Sequence, residues 1–312
     1  MEEGLLRKEA RHLPQHQPWD FAINLVGGDI HTLDCKVYPL TSAEQPKLDK
    51  HILDMLEMGF ICPSKSKICS PLFFVGNKDG KERPVIDYRR LNSITEPDRF
   101  PIPVLQEMID KVQKAKLFTK VDIREGFYNI RVAEGDEWKA AFKTNSGLYE
   151  PTVMQFGLKN APAVFQRMMN TQFADIIAQG NVIIYFDDIL IATIDDLEVH
   201  RRVVGQVLDR LQKLNLFLKP SKCIFETRRI EFLGVVLENG TVMMDPIKVS
   251  GVREWKVPTN VTENRAFQGF ANFYRRFIPN FSKIARPLND LLKTRVKWHW
   301  GEEQQKVFKE IK

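Results

Sequence analysis

The 312-residue chain has few cysteines, few histidines and no long apolar run. Its four cysteines, Cys35, Cys62, Cys69 and Cys223, form neither a CxxC pair nor a zinc-ligand spacing, which favours a reducing compartment. The six histidines are scattered and predict neither a histidine metal site nor a histidine-activated nucleophile. No apolar run approaches the ~18 residues that cross a bilayer, and the charged N-terminus does not resemble a secretory signal. We therefore expect a protein that is neither secreted nor embedded in a membrane.

The net charge of +6 is distributed unevenly. Residues 251–312 contain 13 Lys and Arg against 6 Asp and Glu, a local excess of +7, so the first 250 residues carry −1. A solvated helical surface can have such an excess, but so can a lobe that binds nucleic-acid phosphates. The length suggests two or three lobes, and a content of 43% hydrophobic residues is enough to bury a core.

Two adjacent carboxylates, Asp187 and Asp188, lie between two short apolar runs, 181–184 and 189–193. β-rich runs separated by a short turn predict a hairpin. The turn lacks the Asn-Gly or Gly-Gly dipeptide that would make it easy, and adjacent acids repel each other, a cost typical of functional sites. Hard oxygen ligands suit a divalent cation such as Mg²⁺. The alternative is an ordinary surface turn.

A third carboxylate, Asp122, lies in another apolar-rich run, 116–123, which is followed by a break at Gly126. An acid at the end of one strand and two in a neighbouring hairpin can together hold two metal ions. Two ions about 3.5–4 Å apart stabilise the attacking and leaving oxygens of an in-line phosphoryl displacement. The alternative is three unrelated surface acids.

Hydrophobic spacing and turn residues predict alternating helices and strands. Helices are expected after the capping box Thr41–Glu44, from Pro103, from Pro162 as a first-turn residue, over 203–214 and around 267–274. Strands are expected over 70–75 and 83–88, joined by a turn at 77–80, and on both sides of Gly147. Strand signals fade after about residue 250. This alternation around an antiparallel hairpin predicts an α+β fold.

Three segments resemble, in this order, the reverse transcriptases of gypsy-type (Metaviridae) long-terminal-repeat retrotransposons: Phe-Thr-Lys-Val-Asp at 118–122, Gln-Phe-Gly-Leu-Lys-Asn-Ala-Pro at 155–162 and Tyr-Phe-Asp-Asp at 185–188. Phe-Leu-Gly at 232–234 and residues 272–279 agree, and the resemblance covers about residues 14 to 312. It implies the polymerase part of a Pol polyprotein, with a right-hand fold of fingers, palm with an antiparallel sheet, and helical thumb. The expected parts are an N-terminal lead-in (1–40), fingers and palm (41–250), thumb (251–290) and the start of a connection to an absent ribonuclease H domain (291–312).

The resemblance implies an RNA-directed DNA polymerase that extends a primer by two-metal-ion nucleotidyl transfer. The expected cofactor is Mg²⁺, as two ions, with Mn²⁺ as a substitute. The expected partners are an RNA template, a DNA template–primer and deoxynucleoside triphosphates; the sequence gives no oligomeric state. The expected location is intracellular, in a cytoplasmic virus-like particle and in the nucleus.

Two other functions remain open. One is a catalytically weak relic or domesticated copy that binds RNA–DNA hybrid without turnover. Two departures from the family leave room for it: Gly76-Asn77, where lysine is more usual, and Glu125, an acid close to the expected triphosphate path. The other is an RNA-templated RNA polymerase, although such enzymes usually have Gly-Asp-Asp at the hairpin.

The resemblance also implies roles for the residues near the carboxylates. Asp122, Asp187 and Asp188 are the expected catalytic residues and metal ligands, with Asp188 the weakest ligand. Lys78 and Arg83 are expected to bind the triphosphate, together with backbone N–H groups just after Asp122. For the two cations the alternative is an ordinary solvated hairpin.

Further residues are expected to contact the nucleotide, the templating base pair or the leaving pyrophosphate. Phe127 falls where the family places an aromatic ring against the sugar, and a core phenylalanine is the alternative. Gln155 and Phe156 are expected under the templating base pair. Lys222, or Lys219, is a candidate general acid for the leaving pyrophosphate, and a solvated lysine is the alternative.

The last group of expected site residues binds the primer and the duplex. Phe232, Leu233 and Gly234 resemble the primer grip, whose β-turn backbone holds the primer end. Arg265, Gly269 and Phe273 recur at i, i+4 and i+8 on one helical face, where glycine permits a close approach to a duplex minor groove. Packing of Gly269 against another helix is the alternative.

Overall fold

The computed structural model describes residues 13–27, 33–76, 82–294 and 296–312. The chain divides into two compact units, one that ends at Thr227 and one that comprises Arg228–Lys312. The boundary between the two units, at 227/228, lies before the predicted boundary between palm and thumb at 250/251. The assignment of fingers, palm and thumb stays a prediction. No described helix is both long and apolar enough to span a membrane.

The first unit combines six helices and nine strands in its described residues. In chain order they are α1 (Gln45–Glu57), β1 (Ile61–Pro63), β2 (Ser70–Gly76), β3 (Glu82–Ile86), α2 (Arg89–Ile94), α3 (Leu105–Val112), β4 (Leu117–Asp122), β5 (Phe142–Thr144), β6 (Gly147–Pro151), α4 (Ala161–Gln172), α5 (Ala174–Ile177), β7 (Val182–Tyr185), β8 (Asp188–Thr193), α6 (Leu197–Lys213) and β9 (Ile224–Thr227). Short 3₁₀ turns occupy Gly126–Asn129, Glu137–Ala140 and Pro220–Lys222.

These strands form two sheets. One has the order β1-β6-β5-β2-β3, in which only the β2–β5 pair is parallel. The other has the order β7-β8-β4-β9 and is antiparallel throughout. The hairpin predicted from the paired acids and the strand predicted around Asp122 therefore lie side by side in one antiparallel sheet.

Helices α4 and α6 show why the predicted patterns hold. Pro162 lies in the first turn of α4, where its missing N–H is not needed. The α6 helix begins where the Asp196 side chain accepts a hydrogen bond from the Val199 N–H. Apolar residues at helical spacing are then buried on one face of each helix: Phe165, Met168 and Met169 on α4, and Val203, Val207 and Leu211 on α6.

The predicted fingers hairpin is present as β2 and β3, which pair from Leu72↔Ile86 to Gly76↔Glu82. Its turn and Lys78 lie outside the described residues. The N-terminal lead-in is more than an extended approach to this unit. Phe21 and Ile23 are buried in the main core, and Phe21 and Leu25 form bridges to Val132 and Thr95.

The second unit has a small sheet followed by helices. Its elements are β10 (Arg229–Phe232), β11 (Val235–Glu238), β12 (Thr241–Met244), α7 (Pro246–Arg253), α8 (Val261–Phe273), α9 (Phe281–Ile284), α10 (Arg286–Asp290) and α11 (Glu302–Ile311). The sheet is antiparallel in the order β10-β11-β12. Phe267 of α8 and Phe308 of α11 pack with ring centroids 4.7 Å apart, so residues predicted to begin a connection share the core of this unit.

Candidate active site

The three predicted carboxylates meet at one end of the antiparallel sheet β7-β8-β4-β9. β4 ends at Asp122 and β8 begins at Asp188, and these two residues are direct partners across the strand pair. The turn Phe186-Asp187 joins β7 to β8. The Ile123 N–H donates to the Asp187 carbonyl at 2.8 Å, which ties this turn to the end of β4.

Gln166 supports this turn from α4, and sequence reasoning missed it. Phe186 has a φ of +51°, a left-handed conformation that is costly for an aromatic residue. Its N–H donates to Gln166 Oε1 at 2.9 Å, and Gln166 Nε2 donates to the Ile184 carbonyl at 3.1 Å. Gln166 is fully buried. A glutamine inside the apolar face of α4 was the signal that could have indicated it.

Gly126 lies directly against Asp187. A Cβ built on Gly126 would lie 2.0 Å from Asp187 Oδ1 and 2.8 Å from Phe165 Cζ. No side chain fits there unless Asp187 moves. The sequence indicated Gly126 only as a break after the strand, whereas the structure shows that glycine is required because a carboxylate occupies the space of its side chain.

Lysines neutralise two of the three carboxylates. Lys222 Nζ donates to Asp122 Oδ2 at 3.0 Å. Lys120 Nζ lies 3.0 Å from Asp188 Oδ1, an ion pair outside hydrogen-bond angles. Asp187 has no lysine within ion-pair distance among the described residues, and its buried Oδ1 accepts no hydrogen bond there.

This arrangement shifts the acidity of the site. Burial, followed by the negative charges of Asp122 and Asp188, raises the pKa of Asp187 to about 6, against the lowering effect of Lys222. The hydrogen bond to Asp122 raises the pKa of Lys222. The negative charges of Asp122 and Asp188 therefore act on Asp187 more strongly than the positive charge of Lys222 offsets.

The donor set suits a divalent cation by its chemistry. Carboxylate oxygens are hard ligands, one buried oxygen of Asp187 has no partner among the described residues, and a cation would relieve the repulsion among three acids. Across the described part of the chain, no three His, Cys, Asp or Glu side chains stand close enough to ligate one ion. Instead, Asp122 and Asp188 each form an ion pair with a lysine.

A cleft of about 800 Å³ opens beside these residues. Asp122 and Asp187 line it together with Arg83, Phe156 and the two candidate acids Lys219 and Lys222. Glu125 also lines the cleft, so this departure from the family pattern does face the expected triphosphate path. The structure therefore brings Arg83, two of the three carboxylates and the two candidate acids Lys219 and Lys222 to one cavity.

Phe127 belongs to an aromatic cluster, of which Phe156 lines the cleft. The Phe127 ring is half-buried and lies 4.8 Å from the Phe156 ring and 5.6 Å from the buried Phe165 ring, between centroids. Phe127 thus contacts both the core, through Phe165, and the exposed Phe156. Gln155 is buried, lines a neighbouring cavity of about 580 Å³ and donates its side-chain amide to the Val153 carbonyl.

Two backbone amides just after Asp122 are engaged within the protein, and binding of the triphosphate by the amides of this segment stays a prediction. The Ile123 N–H donates to the Asp187 carbonyl, and the Arg124 N–H donates to the Phe217 carbonyl at 2.7 Å. Glu125 follows with a φ of +48°, because the chain turns sharply before Gly126.

A buried imidazole connects the strands that carry the acids, and it too was missed. His200 of α6 is hydrogen-bonded through Nε2 to the Thr119 hydroxyl of β4 at 2.7 Å and through Nδ1 to the Thr193 hydroxyl of β8 at 2.8 Å. Burial lowers the pKa of His200. A neutral imidazole has one donor and one acceptor, which two hydroxyls satisfy.

Residues 75–237 match the family described as reverse transcriptase (RNA-dependent DNA polymerase).

The chain belongs to the reverse transcriptase family.

Relatives in fission yeast agree with this membership. The Tf2-3 and Tf2-7 transposon polyproteins of Schizosaccharomyces pombe are 35% and 34% identical to the chain over 282 residues, which is 90% of this chain and 21% of each polyprotein. The chain therefore spans about a fifth of the length of these relatives. The predicted resemblance to retrotransposon reverse transcriptases is confirmed.

Solved structures share the fold. The foamy viral protease-reverse transcriptase in complex with dsDNA has a TM-score of 0.82 at 22% identity, over 99% of this chain and 66% of that one. The same protein in complex with RNA/DNA hybrid has a TM-score of 0.78 at 21% identity, over 99% of this chain and 43% of that one. The predicted α+β polymerase fold is confirmed.

In the second unit, the segment 232–234 that resembles the primer grip forms a tight turn. Leu233 and Gly234 join β10 to β11, and both have positive φ, +47° and +84°. Phe232 is buried, whereas Leu233 and Gly234 are half-buried. The Tyr274 hydroxyl donates to the Gly234 carbonyl at 3.1 Å, and a Cβ on Gly234 would lie 3.4 Å from Phe273 Cε1.

The predicted duplex-binding face of α8 is exposed. Arg265, Gly269 and Phe273 are exposed, whereas Asn264, Phe267, Gln268 and Ala271 are buried on the opposite side. Within the described residues, nothing lies within 4 Å of a Cβ built on Gly269, so packing against another helix does not explain this glycine. The Phe273 ring, at the C-terminal end of this face, lies beside Gly234 of the turn.

Proposed function

We propose that the chain is the polymerase part of a longer polyprotein and that it extends a nucleic-acid primer with deoxynucleoside triphosphates on an RNA or DNA template. One observation carries the proposal. Asp122, at the end of β4, and Asp187, in the turn before the adjacent β8, line one cleft together with Arg83 and Lys222. Membership of the reverse transcriptase family supports the reaction class.

The carboxylates are proposed to bind Mg²⁺. Asp122 and Asp187 would hold two ions, with Asp188 in a lesser role and Mn²⁺ as a substitute, and the ions supply the charge that stabilises the reacting phosphate oxygens. The buried, unpartnered Asp187 Oδ1 supports this proposal. Gly126 and Gln166 then position Asp187 by leaving space for its carboxylate and by holding the backbone of its turn.

The cations of the cleft have separate proposed tasks. Arg83 is exposed on β3 and is proposed to bind the triphosphate, because a guanidinium donates in pairs to phosphate oxygens. Lys222 holds a proton at Nζ and is proposed to donate it to the leaving pyrophosphate once it is released from Asp122. Lys219, which lines the same cleft, remains the other candidate for this proton transfer.

The aromatic cluster and the second unit are proposed to orient the substrates. Phe127 would lie against the nucleotide sugar, and Gln155 and Phe156 would lie under the templating base pair. The Leu233–Gly234 turn would hold the primer end through its backbone. The exposed face of Arg265, Gly269 and Phe273 would lie along the duplex.

Nucleic-acid partners have support from structural neighbours. The foamy viral protease-reverse transcriptase structures are complexes with RNA/DNA hybrid and with dsDNA. We propose the same two duplex classes as ligands of this chain. The competing outcome is a relic that binds RNA–DNA hybrid without catalysis.

Primer extension decides between these outcomes. The purified chain is incubated with a labelled DNA primer on an RNA template, the four deoxynucleotides and Mg²⁺, beside reactions that lack template or metal. The expected result is template-length product on RNA and on DNA templates, and none without metal. Tight binding of the hybrid with no extension under any of these conditions would establish the relic instead.

A further inference from the structure

Lys120 and Asp188 form an ion pair inside the sheet that carries the active site. Lys120 precedes Asp122 by two residues in β4, so both side chains are on the same face of the strand. Asp188 is the direct partner of Asp122, which makes Lys120 its diagonal neighbour. Lys120 Nζ lies 3.0 Å from Asp188 Oδ1, and the side chains are only 21% and 27% exposed.

Lys222, the lysine paired with Asp122, is more exposed than Lys120. Lys222 follows a loop and lies in the 3₁₀ turn Pro220–Lys222, and its side chain is 55% exposed. An exposed ion pair is weakened by solvent and salt, whereas a largely buried one is screened much less. A cation that enters the cleft can therefore displace Lys222 from Asp122 more easily than Lys120 from Asp188.

We propose that Lys120 is the resident counter-ion of Asp188 and that it keeps Asp188 from ligating metal, which leaves Asp122 and Asp187 as the two principal ligands. Lys120 is then a positioning residue, since it acts on the metal site through Asp188. The inference rests on the proposed function, because it concerns the metal site of that reaction.

The charges of the site lead to a specific consequence. With Lys120 and Lys222 in place, two of the three carboxylates have an ammonium partner, and within the described residues Asp187 has no lysine at ion-pair distance. Without Lys120, Asp188 would add an uncompensated charge beside Asp122 and Asp187 and would attract a cation more strongly. Without Asp188, Lys120 would remain as a poorly solvated cation near Asp122 and would repel a metal ion.

A double-mutant cycle tests this proposal without any polymerisation. Mg²⁺ binding is measured by calorimetry on the full chain for wild type, Lys120→Met, Asp188→Asn and the double variant. We expect Lys120→Met to bind Mg²⁺ about 10-fold more tightly and Asp188→Asn about 10-fold more weakly, since neighbouring charges change by one. The double variant should return to within about threefold of wild type.

A direct ligand role for Asp188 gives a different pattern. In that case the double variant binds Mg²⁺ as weakly as Asp188→Asn, and this result, or an unchanged affinity in Lys120→Met, would overturn the proposal. Lys120→Arg keeps the positive charge and should bind Mg²⁺ like wild type; a gain in affinity there would also contradict it. Melting curves of each variant verify folding, and primer extension reports separately on the proposed function.

Discussion

Gly126 and Asp187 are packed so closely that a Cβ on Gly126 would lie 2.0 Å from Asp187 Oδ1. Gly126→Ala should therefore displace the carboxylate, and a misplacement of about 1 Å at a catalytic group costs roughly 100-fold in rate. We expect kcat/KM for nucleotide incorporation to fall by about that factor.

Gly205→Ala is the matched control for this substitution. Gly205 lies in α6, and no described atom lies within 4 Å of its added Cβ, so alanine should be neutral or stabilise the helix by up to about 1 kcal/mol. Steady-state incorporation and melting curves are measured for both variants. Wild-type kinetics in Gly126→Ala would show that Asp187 need not occupy the position seen here.

Gln166 is predicted to stabilise the catalytic turn through its two backbone hydrogen bonds. Gln166→Met keeps the length of the side chain but leaves the Phe186 N–H and the Ile184 carbonyl buried without these partners. The expected cost is about 1–3 kcal/mol of unfolding free energy, together with a loss of activity greater than the melting curve explains. The exposed Gln179→Met serves as control, and equal behaviour of the two variants would contradict the role of Gln166.

Phe127 is predicted to exclude the ribonucleotide 2′-hydroxyl. Phe127→Ala should raise the efficiency ratio of ribonucleotides to deoxynucleotides, and it should also destabilise the protein, because the ring contacts the buried Phe165. Truncation of a buried phenylalanine costs about 3–5 kcal/mol, and a half-buried one should cost less. Phe165→Leu is the comparison: it should lower both activities without moving their ratio. An unchanged ratio in Phe127→Ala would identify that ring as scaffold.

Arg265 is predicted to contact duplex phosphate from the exposed face of α8. Arg265→Ala should weaken template–primer binding and lower the slope of log affinity against log salt by about 1. Lys309→Ala removes a charge from an exposed position on α11 and serves as control. An identical slope change in both variants would mean that the basic residues of this unit act through their total charge and that Arg265 makes no specific phosphate contact.

Much of this site was predictable from local sequence. The acids of the hairpin and the acid ending β4 were found because each interrupts an apolar run, a local signal that antiparallel pairing then brings together. The helices α4 and α6 followed from apolar spacing and from Pro162. The three-stranded pairing that begins at Arg229 was indicated only by the turn Phe232-Leu233-Gly234.

The supporting residues were not predictable in this way, because their roles depend on tertiary contacts. Gln166 stands out only as a glutamine inside the apolar face of α4, and the contacts of His200 and Lys120, which lie in regular elements, leave no local pattern. The same holds for the backbone after Asp122, where the Asp187 and Phe217 carbonyls, distant in sequence, accept from the Ile123 and Arg124 N–H groups. A sequence indicates which residues are unusual, while the fold decides what they contact.

The central claim is that Asp187 serves catalysis and not stability, and Asp187→Asn tests it. Burial and the charges of Asp122 and Asp188 raise its pKa to about 6. This value lies above that of an aspartate in an unfolded chain, so the ionised group destabilises the fold at pH above 6, and protonation relieves that cost as pH falls towards 4. An asparagine has no such charge, so the melting temperature of the metal-free variant at pH 7.5 should equal or exceed that of wild type.

The decisive measurement is primer extension on an RNA template with Mg²⁺, made beside melting curves for wild type, Asp187→Asn and the exposed control Asp209→Asn. The account predicts that Asp187→Asn loses more than about 100-fold in incorporation while its melting temperature is maintained or raised. The control should retain both properties. Extension by Asp187→Asn at the wild-type rate would contradict the account.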